Sequence, residues 1–235
     1  MRIFAVDTSS LAASAAIIED EVLLGEYIID HKKTHSQKIM PMTDELFGSC
    51  ELKPSDIDIY AVSVGPGSFT GLRIGIATVK ALAHAVGKPV VGVGTLEAMA
   101  YNMPFCEYLL CPIEDARRSQ VYNAAYKWNG GVLDEVKAPN AAGIDECISG
   151  LGNETVMFIG DGIAVNRDFI TDKMGDNALF APAAYSRQRA SSVAQAAYFK
   201  ARDKSNIKRY TDILPVYLRK SQAEREYEER ERNGK

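Results

Sequence analysis

The chain has 235 residues, 46% of them hydrophobic and 25% charged, a balance that excludes a disordered, fibrous or membrane-embedded protein. With 27 basic against 31 acidic residues the formal net charge is −4, so no global positive field would hold a polyanion, and any nucleic-acid contact must run through a local patch or a partner. The length suits two modest lobes, read here as residues 1–103 and 104–235, with a helical tail free to pack back on the first lobe.

An apolar run at 3–6 ends in Asp7, Thr8, Ser9 and Ser10, and small and β-branched residues follow at 12–18, which predicts strand, polar turn, strand. A third strand is predicted at 22–29. Ile39, Met42, Leu46 and Phe47 have helical spacing, so a helix is expected over 34–47, with Pro41 tolerated as a kink or near the first turn. A strand at 57–64 leads through the loop GPGSFTG into a helix ending near Gly87, followed by a strand at 89–93 and a helix at 96–101.

The second half replays the first. The run at 108–113 ends in Glu114 and Asp115, a polar turn spans 116–120, a strand spans 121–128, and Asn129, Gly130 and Gly131 supply hairpin-turn residues. A strand at 155–159 runs into Gly160, Asp161, Gly162 and a helix, echoing Gly65, Pro66 and Gly67. Asp7 thus pairs with Asp115 and Gly65 with Gly160, as in a duplicated α/β unit. A helix at 191–204, the segment LPVYLR and a charged tail close the chain. In the tail Glu226 with Arg230 and Glu228 with Arg232 make i,i+4 pairs. A solvated terminal helix and docking on a partner or RNA are the two readings.

Cys50, Cys106, Cys111 and Cys147 form no CxxC pair and have no ligand-spaced histidines beside them, so neither a zinc site nor a disulfide framework is expected, and a reducing compartment fits. Asp7 cuts the first apolar run too early for a signal peptide. No other run approaches the roughly 20 apolar residues of a membrane helix, so a cytoplasmic protein without membrane contact is expected.

The loop GPGSFTGLRIG is the strongest local signal. Gly65, Gly67 and Gly71 permit close backbone approach, either to an anion at a strand-to-helix junction or to the sheet under the helix. It is no Walker A loop, because Leu72 follows the last glycine in place of Lys and Ser/Thr. Asp7, Thr8 and Ser9 at a strand end suit a hydrated Mg²⁺ or a phosphate, or simply a capped turn. In a duplicated fold the cleft lies between the Asp7 and Asp115 turns, with Gly160 and Gly162 beside it. His31 and His35 have HxxxH spacing without the intervening Glu of zinc proteases, and Lys32 and Lys33 would repel a cation, so no metal site is assigned. His84, alone in an apolar helix, is expected to be partly buried.

At about 100° per residue, Leu72, Ile76, Val79, Ala83 and Val86 share one helix face, and Ile74, Ala77, Ala81 and Ala85 share the opposite one, flanked by Arg73, Lys80 and His84. A helix apolar on both sides must be covered on both, by the sheet and by a second helix. That second helix is either the one at 34–47 or one from another subunit.

IFAVDTS (3–9), HSQKIMP (35–41), GPGSFTGLRIG (65–75), VGVGTLEA (91–98), IEDARRSQVY (113–122) and PVYLR (215–219) together resemble the TsaB, or YeaZ, family. The match runs in order along nearly the whole chain, and the GPGSFTGLRIG stretch is highly specific. The resemblance implies two duplicated α/β lobes of the actin-like ATPase (ribonuclease H-like) type, a superfamily shared with sugar kinases and heat-shock chaperones. It further implies a non-catalytic scaffold that pairs with TsaD and recruits TsaE for threonylcarbamoyl transfer to the adenosine N6 next to the anticodon of tRNA. Partners implied are TsaD and TsaE, tRNA only as part of the complex, and a second copy when the chain is alone. No cofactor is required, and ATP or ADP would bind weakly at most. TsaD carries a metal-binding HxxxH where this chain has Thr95 and Met99, neither a replacement for an imidazole in a hard-metal site. The competing class is an independent ATP-dependent small-molecule kinase or ATPase working in the Asp7/Asp115 cleft. The absence of glycine at Thr8 and Ser9, and the bulk of Arg117 and Arg118 in the second turn, argue against it.

Overall fold

The structure, a computed structural model, describes residues 1–30, 35–219 and 231. His31, Lys32 and Lys33 and the expected tail pairs Glu226–Arg230 and Glu228–Arg232 lie outside the described residues.

Strands β1 (Arg2–Asp7), β2 (Ala13–Glu19), β3 (Val22–Ile29), β4 (Ile59–Gly65) and β5 (Val90–Gly94) form one sheet in the order β3-β2-β1-β4-β5. The second sheet contains β6 (Leu109–Asp115), β7 (Gln120–Asn129), β8 (Val132–Gly143), β9 (Val156–Ile159) and β10 (Ala178–Phe180). Read from the β8 edge its order is β8-β7-β6-β9-β10, so the two sheets repeat each other. The pairing types repeat too: β1 and β6 are each antiparallel to the strand that follows and parallel to β4 and β9. The duplication legible in the sequence is therefore a duplication of the fold.

The apolar runs of β1 and β6 are continuous because helices cover both faces of each sheet. Side chains alternate along a strand, so Phe4 and Val6 point one way and Ile3 and Ala5 the other. Phe4 and Val6 meet α1 (His35–Ser49) and α2 (Phe69–Val86) through Ile39, Leu46, Phe47, Ile76 and Val79. Phe4 stacks on Phe47 with ring centroids 5.2 Å apart. Truncating such a ring to Ala costs about 3–5 kcal/mol. Ile3 and Ala5 instead meet α6 (Ala190–Lys200), whose Ala190, Val193, Ala194 and Ala197 let the helix lie close on the sheet. In the second sheet, Leu109, Cys111 and Ile113 pack with α4 (Ile144–Ser149) and α5 (Ile163–Met174). Leu110 on the opposite face packs with Leu96, Met99 and Ala100 of α3 (Thr95–Ala100). The halves thus exchange helices: α3 covers the second sheet and α6 the first, so both cores draw from either side of residue 103.

Pro41 sits inside α1, where its missing N–H leaves one main-chain carbonyl a turn earlier without its helical partner. The helix expected over 191–204 ends at Lys200, because Asp203 accepts from the backbone N–H of Ser205 at 2.9 Å and turns the chain. The segment that follows is a strap with two short 3-10 turns, Lys204–Asn206 and Tyr210–Asp212. Lys208 bridges to Val90 of β5, Val216 N–H donates to the Val64 carbonyl at 2.7 Å, and Arg219 donates to the Ala116 and Arg117 carbonyls of the second lobe. No described helix is long and apolar enough to cross a membrane.

Candidate functional site

The strand ends carrying Asp7 and Asp115 face a cleft between the sheets, where adjoining cavities of roughly 410 and 480 Å³ open. Asp7 turns inward. Its Oδ1 accepts from the Ser9 N–H at 2.8 Å and the Ser9 hydroxyl at 2.6 Å, and its Oδ2 accepts from the Ser63 hydroxyl of β4. Burial nevertheless raises its pKa, since desolvation outweighs these bonds and the nearby His35. Asp7 therefore caps its own turn.

The glycine loop is docked on that turn. A Cβ on Gly67 would lie 2.5 Å from the Ser9 carbonyl oxygen, and one on Gly71 would collide with the Thr8 carbonyl. The Thr8 hydroxyl donates to the Gly71 carbonyl at 2.8 Å, and Ser68 N–H donates to Ser9 O at 2.7 Å. Ser68 also caps α2, accepting from the Gly71 N–H at 3.2 Å. Close packing of helix on sheet thus accounts for these glycines, and no ligand is needed to explain them.

At the matching junctions Gly65 has φ 124° and Gly160 φ 119°, backbone that an L side chain rarely adopts. Gly162 N–H donates to the Ile113 carbonyl at 3.1 Å, and Asp161 Oδ1 accepts from the Asp115 N–H at 3.0 Å. Asp115 accepts from the Arg117 N–H at 2.8 Å. Arg117, Arg118 and Ser119 all have positive φ, at 64°, 55° and 56°, a turn of three left-handed residues that Arg219 holds from the strap. Such backbone costs roughly 1–2 kcal/mol per residue.

Two cleft residues escaped the sequence reading. Glu114 is buried, and its Oε1 accepts from Gln188 Nε2, while Gln188 Oε1 accepts from the Ser10 hydroxyl at 2.6 Å. Ser10, Gln188 and Glu114 thereby join the lobes. Burial first, and the charges of Asp161 and Asp7 after it, push the Glu114 carboxyl well above its ordinary value. The available signal was a carboxylate beside Asp115 at the end of an apolar strand, where alternation turns one of the two into the core. Gln188 carries no sequence signal.

His35 Nε2 lies 2.7 Å from the Ser10 carbonyl, which only accepts, so that nitrogen carries a proton and is closed to a metal. Thr95 and Met99 are buried in α3, and among the described residues no group of His, Cys, Asp or Glu is arranged to hold a metal ion. The Cys111 and Cys147 sulfurs lie 3.9 Å apart as free thiols.

On α2, Leu72, Ile76, Val79 and Ala83 are buried, whereas Ala77, Ala81 and Ala85 are exposed and Ile74 is half-buried. Helix α1 lies alongside α2, and Ile74 packs at the edge of the first core, but Ala77, Ala81 and Ala85 are left uncovered. The flanking polar residues meet the strap: Arg73 Nε donates to the Tyr217 hydroxyl at 3.0 Å, Lys80 reaches the Thr211 carbonyl at 3.5 Å, and His84 lies on Tyr210 with ring centroids 4.7 Å apart. His84 is exposed, contrary to the expectation of partial burial, because its helix position points across the strap and away from the sheet.

The repeated strand order and the cleft between two aspartate-bearing strand ends place the chain among the two-lobed α/β proteins of the actin-like ATPase type. A solved structure of an uncharacterized Pseudomonas aeruginosa protein with similarity to peptidase YEAZ matches at a TM-score of 0.79 and 25% identity, over 93% of this chain and 99% of that one. Component A of the Acidaminococcus fermentans (R)-2-hydroxyglutaryl-CoA dehydratase shares the fold alone, with a TM-score of 0.51 and 13% identity over 86% and 100% of the two chains. A family model described as TsaD, tRNA N6-adenosine threonylcarbamoyltransferase, matches residues 23–227. The Bacillus subtilis tRNA threonylcarbamoyladenosine biosynthesis protein TsaB is 32% identical over 95% of this chain and 96% of its own length. The chain belongs to this family, among its TsaB (YeaZ) members.

Proposed function

We propose that the chain serves tRNA threonylcarbamoyladenosine biosynthesis as a non-catalytic scaffold in the cytoplasm, pairing with TsaD, bringing TsaE to the pair, and dimerising when TsaD is absent. The observation that carries this reading is the exposed stripe of Ala77, Ala81 and Ala85 on α2, an uncovered apolar helix face with a polar rim. Small side chains let a partner helix approach closely, and the rim of Arg73, Lys80 and His84 is held in place by the strap.

A non-catalytic role is supported by the chemistry of the cleft. Both Asp7 oxygens accept bonds from serine side chains, and the buried Glu114 carboxyl accepts from Gln188. Thr95 offers a hydroxyl and Met99 a thioether, a poor donor set for a hard cation.

The test is reconstitution from separately purified proteins with tRNA and threonylcarbamoyl adenylate. Product is expected only when this chain, TsaD and TsaE are all present. Product from this chain alone, or undiminished product when it is left out, would overturn the reading.

A further inference from the structure

Helix α2 ends at Gly87 against the strap, where Gly87, Lys88, Pro89, Ile207, Lys208, Arg209 and Tyr210 line a groove of roughly 390 Å³. The paired backbone of Val90 and Lys208, with N–H to carbonyl distances of 2.9 and 2.8 Å in the two directions, fixes the strap beside β5. Lys88, Lys208 and Arg209 therefore rim one groove, with Lys80 nearly two helical turns before the end of α2 and the touching Tyr210 and His84 rings beside them. Lys208 and Arg209 are exposed, and Lys80 and Lys88 half-buried. Among the described residues none of these four cations is in an ion pair.

One nearby acid does face the groove: the Asp203 carboxyl is held below its ordinary value by its bonds from Ser205 and, after them, by the charge of Lys208. Asp203 accepts from the Ser205 N–H and hydroxyl, Asp212 accepts from the Thr211 hydroxyl, and Asp58 on the edge of β4 accepts from the Arg2 N–H. A helix C-terminus by itself attracts cations. Here, however, the Ala83 and His84 carbonyls already accept from the N–H groups of Gly87 and Lys88, so that need is largely met by the main chain. Among the described residues Lys88 and Arg209 have no acidic partner and Lys208 has only the exposed Asp203, so the groove keeps an excess of positive charge on a chain of net charge −4.

We infer that this groove is where the chain contacts the phosphate backbone of RNA. Cations spaced along a groove match successive phosphates, and the exposed His84 ring beside them offers a stacking face to a base. The inference rests on the proposed function for its choice of RNA as the polyanion. It adds a location: the groove adjoins the α2 stripe, so RNA bound there would lie beside a partner seated on that stripe.

The experiment measures fluorescence anisotropy of a labelled, unmodified tRNA transcript over a salt series, with the full chain alone and with TsaD present. Each phosphate contact contributes roughly 0.7–0.9 to the slope of log affinity against log salt. The Lys88→Gln/Lys208→Gln/Arg209→Gln variant should bind about tenfold or more weakly at low salt, with a slope lower by roughly 2–3. Lys88→Arg/Lys208→Arg should keep the wild-type values, and so should Lys173→Gln on α5. An unchanged affinity and slope in the triple variant, or no wild-type tRNA binding in either setting, overturns the inference. Vesicles containing phosphatidylserine and polyglutamate are the alternative probes. Loss of binding to either of these with tRNA binding intact overturns it in favour of a membrane or an acidic protein. Because binding is read directly, the groove can fail while reconstitution succeeds, and the reverse.

Discussion

Gly71 packs so tightly on Thr8 that its α-carbon has no room for a methyl group, while the Thr8 hydroxyl bonds the Gly71 carbonyl at 2.8 Å. The start of α2 is thereby keyed to the β1–β2 turn across 63 positions of sequence. Gly71→Ala should force the two apart and destabilise the first lobe by about 1–3 kcal/mol, the usual cost of overpacking. Thr8→Val, which removes the hydroxyl and leaves a carbonyl short of one partner, should cost about 1–3 kcal/mol. Urea unfolding checks both. A Gly71→Ala variant as stable as wild type would show that the loop is looser than described.

Glu114 makes stability depend on pH. Its folded-state pKa is raised above the ordinary 4.5 by burial and then by Asp161. The folded protein therefore holds a proton that the unfolded chain has released, and the linkage slope is negative. The group's stabilising contribution is full below about 4.5 and is lost as pH rises through the raised folded value. Asp7 and Asp161, also raised by burial, act in the same direction from 3.8 upward. Glu114→Gln mimics the neutral acid and keeps an acceptor for Gln188. Melting curves from pH 5 to 8 should show this variant gaining on wild type as pH rises. Parallel curves would mean that Glu114 is ionised in the fold.

The repeat was readable because Asp7 and Asp115 end apolar runs and Gly65 and Gly160 follow them, and those patterns are local. Strand β8 was missed beyond its turn. Val132–Gly143 is an exposed edge strand with charged residues and Pro139, so it lacks both apolar alternation and β-branched density. The helix exchange was equally illegible, since nothing in the spacing of Leu96 and Met99 says which sheet they meet. The strap has no periodicity at all, and its meaning comes from contacts: Tyr217 stacked on Phe69 with ring centroids 3.7 Å apart, and bonds to the Val64 and Ala116 carbonyls. Of the cleft, the aspartates and glycines could be located, but whether their polar atoms faced a ligand or each other was a matter of tertiary packing. Ser63, brought to Asp7 from β4, decides it.

The engaged state of Asp7 bears on nucleotides. With Ser9 and Ser63 on its two oxygens, ATP with Mg²⁺ is expected to bind weakly or not at all, and without turnover. Asp7→Asn should then alter melting temperature and leave calorimetric ATP titrations unchanged. Submicromolar ATP affinity with hydrolysis that this substitution abolishes would favour an independent kinase or ATPase.

The α2 stripe offers the sharpest separation of fold from partnership. Ala81 is exposed in the chain alone, so Ala81→Glu replaces one good helix former by another at a solvated position and should change stability by no more than about 0.5 kcal/mol. In a helix–helix contact the same carboxylate would lose its water without gaining a partner, a cost of several kcal/mol. An association of micromolar strength is worth about 8.2 kcal/mol, so a loss of about 4 kcal/mol would move it to near-millimolar dissociation. Sedimentation of the chain alone should show monomer where wild type dimerises, and co-purification with TsaD should fail, while the thermal melt stays in place. Ala85→Glu, one turn further along the same stripe, should behave alike, whereas Thr171→Glu on the exposed face of α5 in the second lobe should have no effect on either association. A variant at Ala81 that melts as wild type and still pairs normally would show that the partner sits on another face.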